Sequence, residues 1–296
     1  MIAQTHDTIE VCQVRPSGFV VYEKYLRSRA PKDKPDKSPL ENIQDKPTYS
    51  GTVTKHAKKR IARAISLLLA VSPWQTVEKP STGQKFKMKI NFITLTLPSE
   101  QGYITDQEIK KKCLEPFILA MRRKFGMQSY IWRAERQKNG NLHFHITTNV
   151  YVPYDQLRDI WNEKLQKLGF IDRYQNKHGH RHPNSTDVHS VRKIKDIQRY
   201  LVKYMSKEAG PNEIITGKIW DCSRNLKIKT NCELLIDCEV DSCIKESCTD
   251  KTTEILHFDH CTFINIRPEK FHKYVKGSLK TAYTDWLSLI RNLPDN

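Results

Sequence analysis

Downstream of Ser50 and Thr52, either of which can cap a helix, apolar residues recur at helical spacing as Ile61, Ile65, Leu68 and Leu69. Lys55, Lys58, Lys59, Arg60 and Arg63 fall mostly off that stripe, so a basic amphipathic helix is predicted. From Lys87 to Leu97 the period changes to two, with Ile93, Leu95 and Leu97 on one face and Phe92, Thr94 and Thr96 on the other. Pro98 ends that strand. A helix is expected at about 106–125, then a strand at 129–136, a turn at Asn139-Gly140, a strand at 141–151 and a helix from about 154 to 168. Residues 176–184, with His178, His180 and His182, read as a solvated polar loop. A short strand near 186–191 leads into a helix at about 194–208, and a closing helix is expected at 278–292. Strands alternate with helices, but an Asn-Gly hairpin demands antiparallel pairing, so the expected class is α+β: a central antiparallel sheet with packed helices.

Four segments are expected: an N-terminal arm and Pro/Lys linker (1–48), the basic helix with its connection (49–84), a core (85–210) and a C-terminal extension (211–296). Pro31, Pro35, Pro39 and Pro47 among Lys and Asp mark the linker. Within the extension, residues 231–260 carry 2 basic and 8 acidic side chains with Cys232, Cys238, Cys243 and Cys248, and read as a decoration, such as a hairpin, that avoids phosphate. Those cysteine gaps do not match the paired spacing of a zinc knuckle. The start of the chain lacks the features of a secretory signal, so the 8 cysteines are expected as thiols in a reducing, cytoplasmic compartment. The longest apolar run, Ala64 to Val71, is far shorter than the roughly 20 residues a bilayer requires, and no membrane partner is expected.

Charge narrows the function. The formal excess is +17, and residues 51–210 account for it with 30 basic and 13 acidic side chains. Such a concentration suits a phosphate-backbone footprint on the middle of the chain. No Gly-x-x-x-x-Gly-Lys-Ser/Thr phosphate loop occurs, which excludes an ATP-driven motor of that class.

Candidate chemistry lies on the predicted hairpin. His143 and His145, two residues apart on a strand, share one face, while Phe144 and Ile146 take the other. Whether Glu135 joins them depends on the turn. A two-residue loop at Asn139-Gly140 sets Glu135 opposite Phe144, on the wrong face. A three-residue loop, Lys138-Asn139-Gly140 with Gly140 left-handed, pairs Gln137 with Asn141 and Glu135 with His143. The longer loop is expected, giving two nitrogens and one carboxylate suited to magnesium or manganese. On the late helix, Ile194, Ile197, Leu201 and Met205 form the buried stripe, Tyr200 and Tyr204 stack along its edge, and Lys203 and Lys207 flank them. A free phenol, with a pKa of about 10, is a poor nucleophile at neutral pH, so a nearby cation such as Lys203 or a polarised phosphate is needed.

Phe92-Ile93-Thr94-Leu95-Thr96, His143-Phe144-His145 and Tyr200-x-x-Lys203-Tyr204 together resemble the three ordered motifs of the HUH endonuclease superfamily. The nearest likeness is to its two-tyrosine rolling-circle replication initiators from single-stranded-DNA phages and bacterial plasmids. The resemblance covers about 85–210 and implies a ferredoxin-like sheet, with His143, His145 and Glu135 as metal ligands. It further implies that Tyr200 and Tyr204 nick and rejoin single-stranded or hairpin origin DNA through a 5′-phosphotyrosine, with Lys203 as the motif lysine. Arg133, Lys193, Lys195 and Lys207, with Thr94 and Thr96, are expected to contact DNA. A polymerase would extend the released 3′-hydroxyl and a separate helicase would open the duplex, in a bacterial host cytoplasm. Trp220-Asp221-Cys222-Ser223-Arg224 resembles a segment that often follows the third motif. A two-tyrosine transposase of the same superfamily shares every one of these residues. A non-catalytic module binding single strands through basic and aromatic groups is the rival of another class.

Overall fold

The computed structural model describes residues 8–26, 53–190, 197–206, 214–228 and 230–293. Along the chain these form strands β1 (Thr8–Arg15) and β2 (Gly18–Tyr25), helix α1 (Lys55–Val71), and strands β3 (Gln75–Glu78), β4 (Lys85–Met88) and β5 (Asn91–Thr96). Helices α2 (Asp106–Ile109) and α3 (Glu115–Phe125) follow, joined by one π turn at Lys110–Leu114. Then come β6 (Tyr130–Arg136), β7 (Leu142–Thr148), α4 (Tyr154–Gln166) and α5 (Phe170–His178). Beyond them lie β8 (Thr186–Ser190), α6 (Ile197–Met205), β9 (Trp220–Cys222), β10 (Cys232–Leu235), α7 (Cys238–Cys248), β11 (Glu254–Phe258), β12 (Cys261–Asn265), α8 (Pro268–Phe271) and α9 (Gly277–Asn292). The described segments of residues 1–48 and 229–290 make one compact unit, and those of 49–228 and 291–296 make another. Among the described residues no helix is long and apolar enough to cross a membrane.

In the first unit, residues expected as an N-terminal arm instead form a hairpin, β1 and β2, turning at Pro16-Ser17. The hairpin is the centre of an antiparallel sheet ordered β10-β1-β2-β12-β11. Gly18 is required there, because a Cβ at this position would lie 2.1 Å from the Ile264 carbonyl oxygen. Phe19 meets Phe271 at 5.3 Å between ring centroids, and Phe271 meets Tyr283 of α9 edge-on at 5.5 Å. The acidic, Cys-bearing stretch 231–260 is not a simple hairpin, since α7 separates β10 from β11. Its acids are used inside the unit. The Asp237 side chain accepts from the Val240 N–H and caps α7, Glu239 and Asp241 sit in its first turn, and Asp250 binds Lys270 and Tyr274, each at 2.8 Å. Cys12, Cys232 and Cys243 are buried thiols, and burial pushes Cys12 up to about 12 and Cys232 to about 11, so both stay protonated at neutral pH.

The second unit is an α+β domain on an antiparallel sheet ordered β8-β5-β7-β6-β9. The alternation at 87–97 spans two strands, not one: β4 pairs with β3 in a small separate ribbon, and β5 enters the sheet after Lys89 and Ile90. Helix α1 begins at Thr54, whose hydroxyl accepts from the Ala57 N–H at 3.1 Å, so the cap is neither Ser50 nor Thr52. The predicted helix at 106–125 widens at the π turn just ahead of Pro116, which lacks an N–H and cannot tolerate a tight preceding turn. Helix α5 runs to His178, so the polar loop begins only at Gly179. Phe144 on one sheet face meets Trp161 of α4 at 6.1 Å, and Trp161 meets Phe117 of α3 at 5.6 Å, which places those helices together on that face.

One buried network fixes the end of the sheet near the Asn139-Gly140 turn. Asp106, 4% exposed, accepts from Arg136 at 2.7 Å, from Gln101 at 2.8 Å and from the Thr216 N–H at 2.9 Å. Lys110, on the π turn, donates to the Thr216 carbonyl at 2.6 Å, and Gln101 accepts from the Leu142 N–H at 3.0 Å. Asp106→Ala leaves the Arg136 guanidinium without its carboxylate and is expected to cost about 3 kcal/mol of stability, read as a lower denaturant midpoint. Burial lowers Lys110 to about 8, outweighing the opposing pull of Asp106, with Arg136 adding to the lowering. Between pH 8 and 10.5 the unfolded chain therefore holds a proton that the folded chain has lost, and stability rises with pH. That increment is expected to vanish in Lys110→Met, measured by denaturation of both proteins across the window.

Candidate functional site

Strand β7 is flanked by β5 and β6, and directly opposed residues of antiparallel strands share a face. His143 lies opposite Thr96 on β5 and Glu135 on β6, and His145 lies opposite Thr94 and Arg133. Six polar side chains thus stand on one face, while Phe144, Ile146, Leu95 and Ala134 are buried on the other. The hairpin has the three-residue loop: Gln137 N–H donates to Asn141 O at 2.9 Å, and Gly140 adopts φ 82°. Each imidazole pairs its Nδ1 with a threonine hydroxyl at 3.3 Å, His145 with Thr94 and His143 with Thr96. Thr94 and Thr96, expected at DNA, are placed where they orient the two rings and leave Nε2 as the second nitrogen of each.

The two imidazoles stand edge-on with centroids 4.6 Å apart. Burial, then the neighbouring His145, pushes His143 down to about 4 against the opposing pull of Glu135. At neutral pH that ring is uncharged and its lone pair is available. Glu135 Oε2 lies 3.4 Å from His145 Nε2, and its Oε1 lies 3.4 Å from Arg133 Nε. Among the described residues no three His, Cys, Asp or Glu side chains already converge as a complete metal cage. The donor chemistry nonetheless fits a hard or borderline divalent cation: two imidazoles held by hydroxyls, one of them neutral, and a carboxylate share one face. A third ligand bond would require the Glu135 side chain to rotate away from Arg133.

Helix α6 covers the same face. Its Leu201 and Met205 are buried, and Tyr200 and Tyr204 stack with ring centroids 4.6 Å apart. Phe92 links them to the histidines: its ring lies flat against His145 at 5.0 Å and meets Tyr200 and Tyr204 edge-on at 6.4 and 6.0 Å. Tyr204 is 41% exposed and Lys203 is exposed beside it. Burial, then the adjacent Tyr204, raises the Tyr200 phenol, so the chain by itself leaves that nucleophile protonated.

Arg133 is a correction. Expected at phosphate, it is 2% exposed and donates from Nη1 to the Met205 carbonyl at 3.0 Å. It holds the C-terminal end of α6 and the Glu135 carboxylate at once, a cation at the negative end of a helix. Lys193, Lys195 and Lys207 lie outside the described residues, as do Ile194 and the expected linker at 31–47. Two features gain a place only from the fold. Phe92 reads in the sequence simply as an alternating strand residue, and its position under the phenols needs the β5–β7 register. The segment from Trp220 to Arg224 opens with β9, the edge strand beside β6, where Ser223 N–H donates to Tyr130 O at 2.9 Å.

Residues 90–209, less than half the chain, match a family model described as replication-associated protein of the ORF2 and gene 2 protein type, which is consistent with a rolling-circle replication initiator. No curated protein and no solved structure matches the chain. The matched span starts just before β5 and ends just beyond α6, and so takes in all the residues of this face.

Arg133→Met should cost about 3 kcal/mol, because the Glu135 carboxylate and the α6 terminus lose a buried charged donor together. Chemical denaturation measures the loss.

Proposed function

We propose that this protein initiates rolling-circle replication by nicking and rejoining single-stranded origin DNA through a tyrosine ester. The observation that supports it most directly is the continuous ring contact from His143 through His145 and Phe92 to Tyr200 and Tyr204 on a single sheet face. A phosphodiester laid across that face would meet phenols on one side and imidazoles on the other.

His143, His145 and Glu135 are the residues that would hold a magnesium or manganese ion, and such an ion supplies positive charge to the non-bridging oxygens of a phosphate. The chain's own groups do the rest. Thr94 and Thr96 hold the rings, Arg133 holds Glu135 and α6, and Phe92 sets the height of the phenols. One tyrosine oxygen forms a bond to phosphorus as its proton departs, and the bond from phosphorus to the 3′ oxygen breaks. The strand leaves with a free 3′-hydroxyl, which takes up a proton, and the 5′ phosphate stays esterified to tyrosine. The reverse attack by a 3′-hydroxyl restores the phosphodiester and the phenol, so the bond energy is conserved and no nucleotide is hydrolysed. Lys203, exposed beside Tyr204, supplies positive charge to the attacking oxygen or the phosphate. The released 3′-hydroxyl suits a polymerase, and strand opening falls to a separate helicase in a bacterial host cytoplasm.

Labelled single-stranded DNA carrying the origin of the protein's own replicon, incubated with manganese, should give an adduct that survives denaturation. Tyr200→Phe/Tyr204→Phe is expected to abolish it, and His143→Ala to reduce cleavage by at least about 100-fold with DNA binding largely retained. A wild-type protein that binds this DNA yet never forms the adduct would instead be a binding module. Rejoining of transposon ends in place of the origin would make it a transposase.

A further inference from the structure

Helix α1 carries Lys55, His56, Lys58, Lys59, Arg60 and Arg63 and no acidic residue anywhere along its 17 positions. Its apolar stripe, Ile61, Ala64, Ile65, Leu68 and Val71, is buried, whereas Lys55, His56, Lys59, Arg60 and Arg63 are exposed. This arrangement opposes helix stability. The first turns of a helix carry the positive end of its dipole, where acidic residues stabilise and cations cost roughly 0.3–1 kcal/mol each. Nothing on the helix itself offsets that repulsion. Lys55, Lys59 and Arg63 stand four apart, which sets them in a single file at steps of about 6 Å, near the spacing of successive phosphates along a strand.

The file does not stand alone. Arg60 lies over the Trp220 ring at 5.3 Å, and stacking by the guanidinium face leaves its in-plane donors for an anion. Arg63 Nη2 donates to the Ile228 carbonyl at 3.1 Å, which ties the helix to the segment after β9. Gln198 of α6 donates to Ser66 of α1 at 2.8 Å, so α1 is docked directly on the helix that carries the phenols. Between that contact and the tyrosines, α6 exposes Arg199 and Lys203, four residues apart. The cations therefore continue from Lys203, beside Tyr204, across α6 and onto α1.

We propose that the exposed face of α1 is a second nucleic-acid site, a track for the phosphates of a single strand flanking the position at which the phenols act. A single file of cations with an indole alongside suits a lone strand, whose bases can stack, better than the two phosphate rows of a duplex. The nature of the strand rests on the function proposed above, but the track is a matter of equilibrium binding and needs no cleavage.

The test compares wild type with Lys55→Gln/Lys59→Gln, both exposed positions outside the tyrosine and histidine machinery, using an oligothymidylate of about 30 nucleotides. A control pair of equal charge, Lys111→Gln/Arg123→Gln, sits on the rod of α2 and α3 that covers the opposite face of the sheet. Affinity is measured by fluorescence anisotropy over a salt series, and thermal unfolding verifies that each variant is folded. The α1 pair should flatten the slope of log affinity against log salt by about 1.4, the loss of two single-strand phosphate contacts, and weaken binding roughly tenfold or more at low salt. The control pair should leave the slope near that of wild type. An unchanged slope in the α1 pair, an equal change in the control, or a change confined to duplex DNA would overturn the track. If the slope changes as expected while the wild-type protein forms no covalent adduct, the track stands and the nicking chemistry falls.

Discussion

The central strand β7 must satisfy two neighbours at once, and that double registration is the constraint on which the face depends. Side chains alternate along a strand with a period of two, so a slip of one residue against either neighbour would exchange a polar residue for an apolar one. Phe144 and Ile146 resist such a slip because both are fully buried against the helices on the far face. The apolar side of the sheet thereby pins the polar side. Thr94 and Thr96 reach the histidines from β5, Glu135 and Arg133 reach them from β6, and none of these pairs would survive if Phe144 lost its seat against Trp161.

A second layer of dependence runs through Arg133 and Phe92. One long cation joins the backbone end of α6 to the carboxylate on β6, and one ring fills the space between an imidazole and two phenols. The phenols are therefore placed by the sheet as much as by their own helix. The His143 imidazole is kept neutral by burial, whereas Tyr200 is pushed by burial toward its protonated form. The same loss of solvent thus prepares one group for a cation and leaves the other in need of one.

What can be read from the sequence follows a physical divide between local and distant pairing. The α1 stripe, the late helix with its two tyrosines and the parity of the Asn139-Gly140 loop are set by neighbours in the chain, and each is legible there. Glu135 comes into place because hairpin register is decided by turn chemistry within a few residues. Arg133 misleads because a buried arginine and a phosphate-binding arginine look alike until its acceptor, the Met205 carbonyl 72 residues away, is known. Residues 8–25 escape notice for the same reason. Their strands are completed by β10 and β12, more than 200 residues later, and no local period announces such partners. The cap of α1 falls two residues beyond its expected place because Ser50, Thr52 and Thr54 are chemically equivalent candidates.

The three-residue loop at Lys138–Gly140 also constrains how this chain can diverge. Its residues are exposed at the tip, so their identities are free to drift, apart from the left-handed Gly140. Gaining or losing one residue there would carry the acid to the greasy side of the ribbon, while adding a symmetric pair would merely lengthen both arms. Among descendants of this sequence, the count from the glutamate to the first histidine should therefore change only in even steps, a rule that tells true lineage from chance likeness even where nearly every other letter has changed.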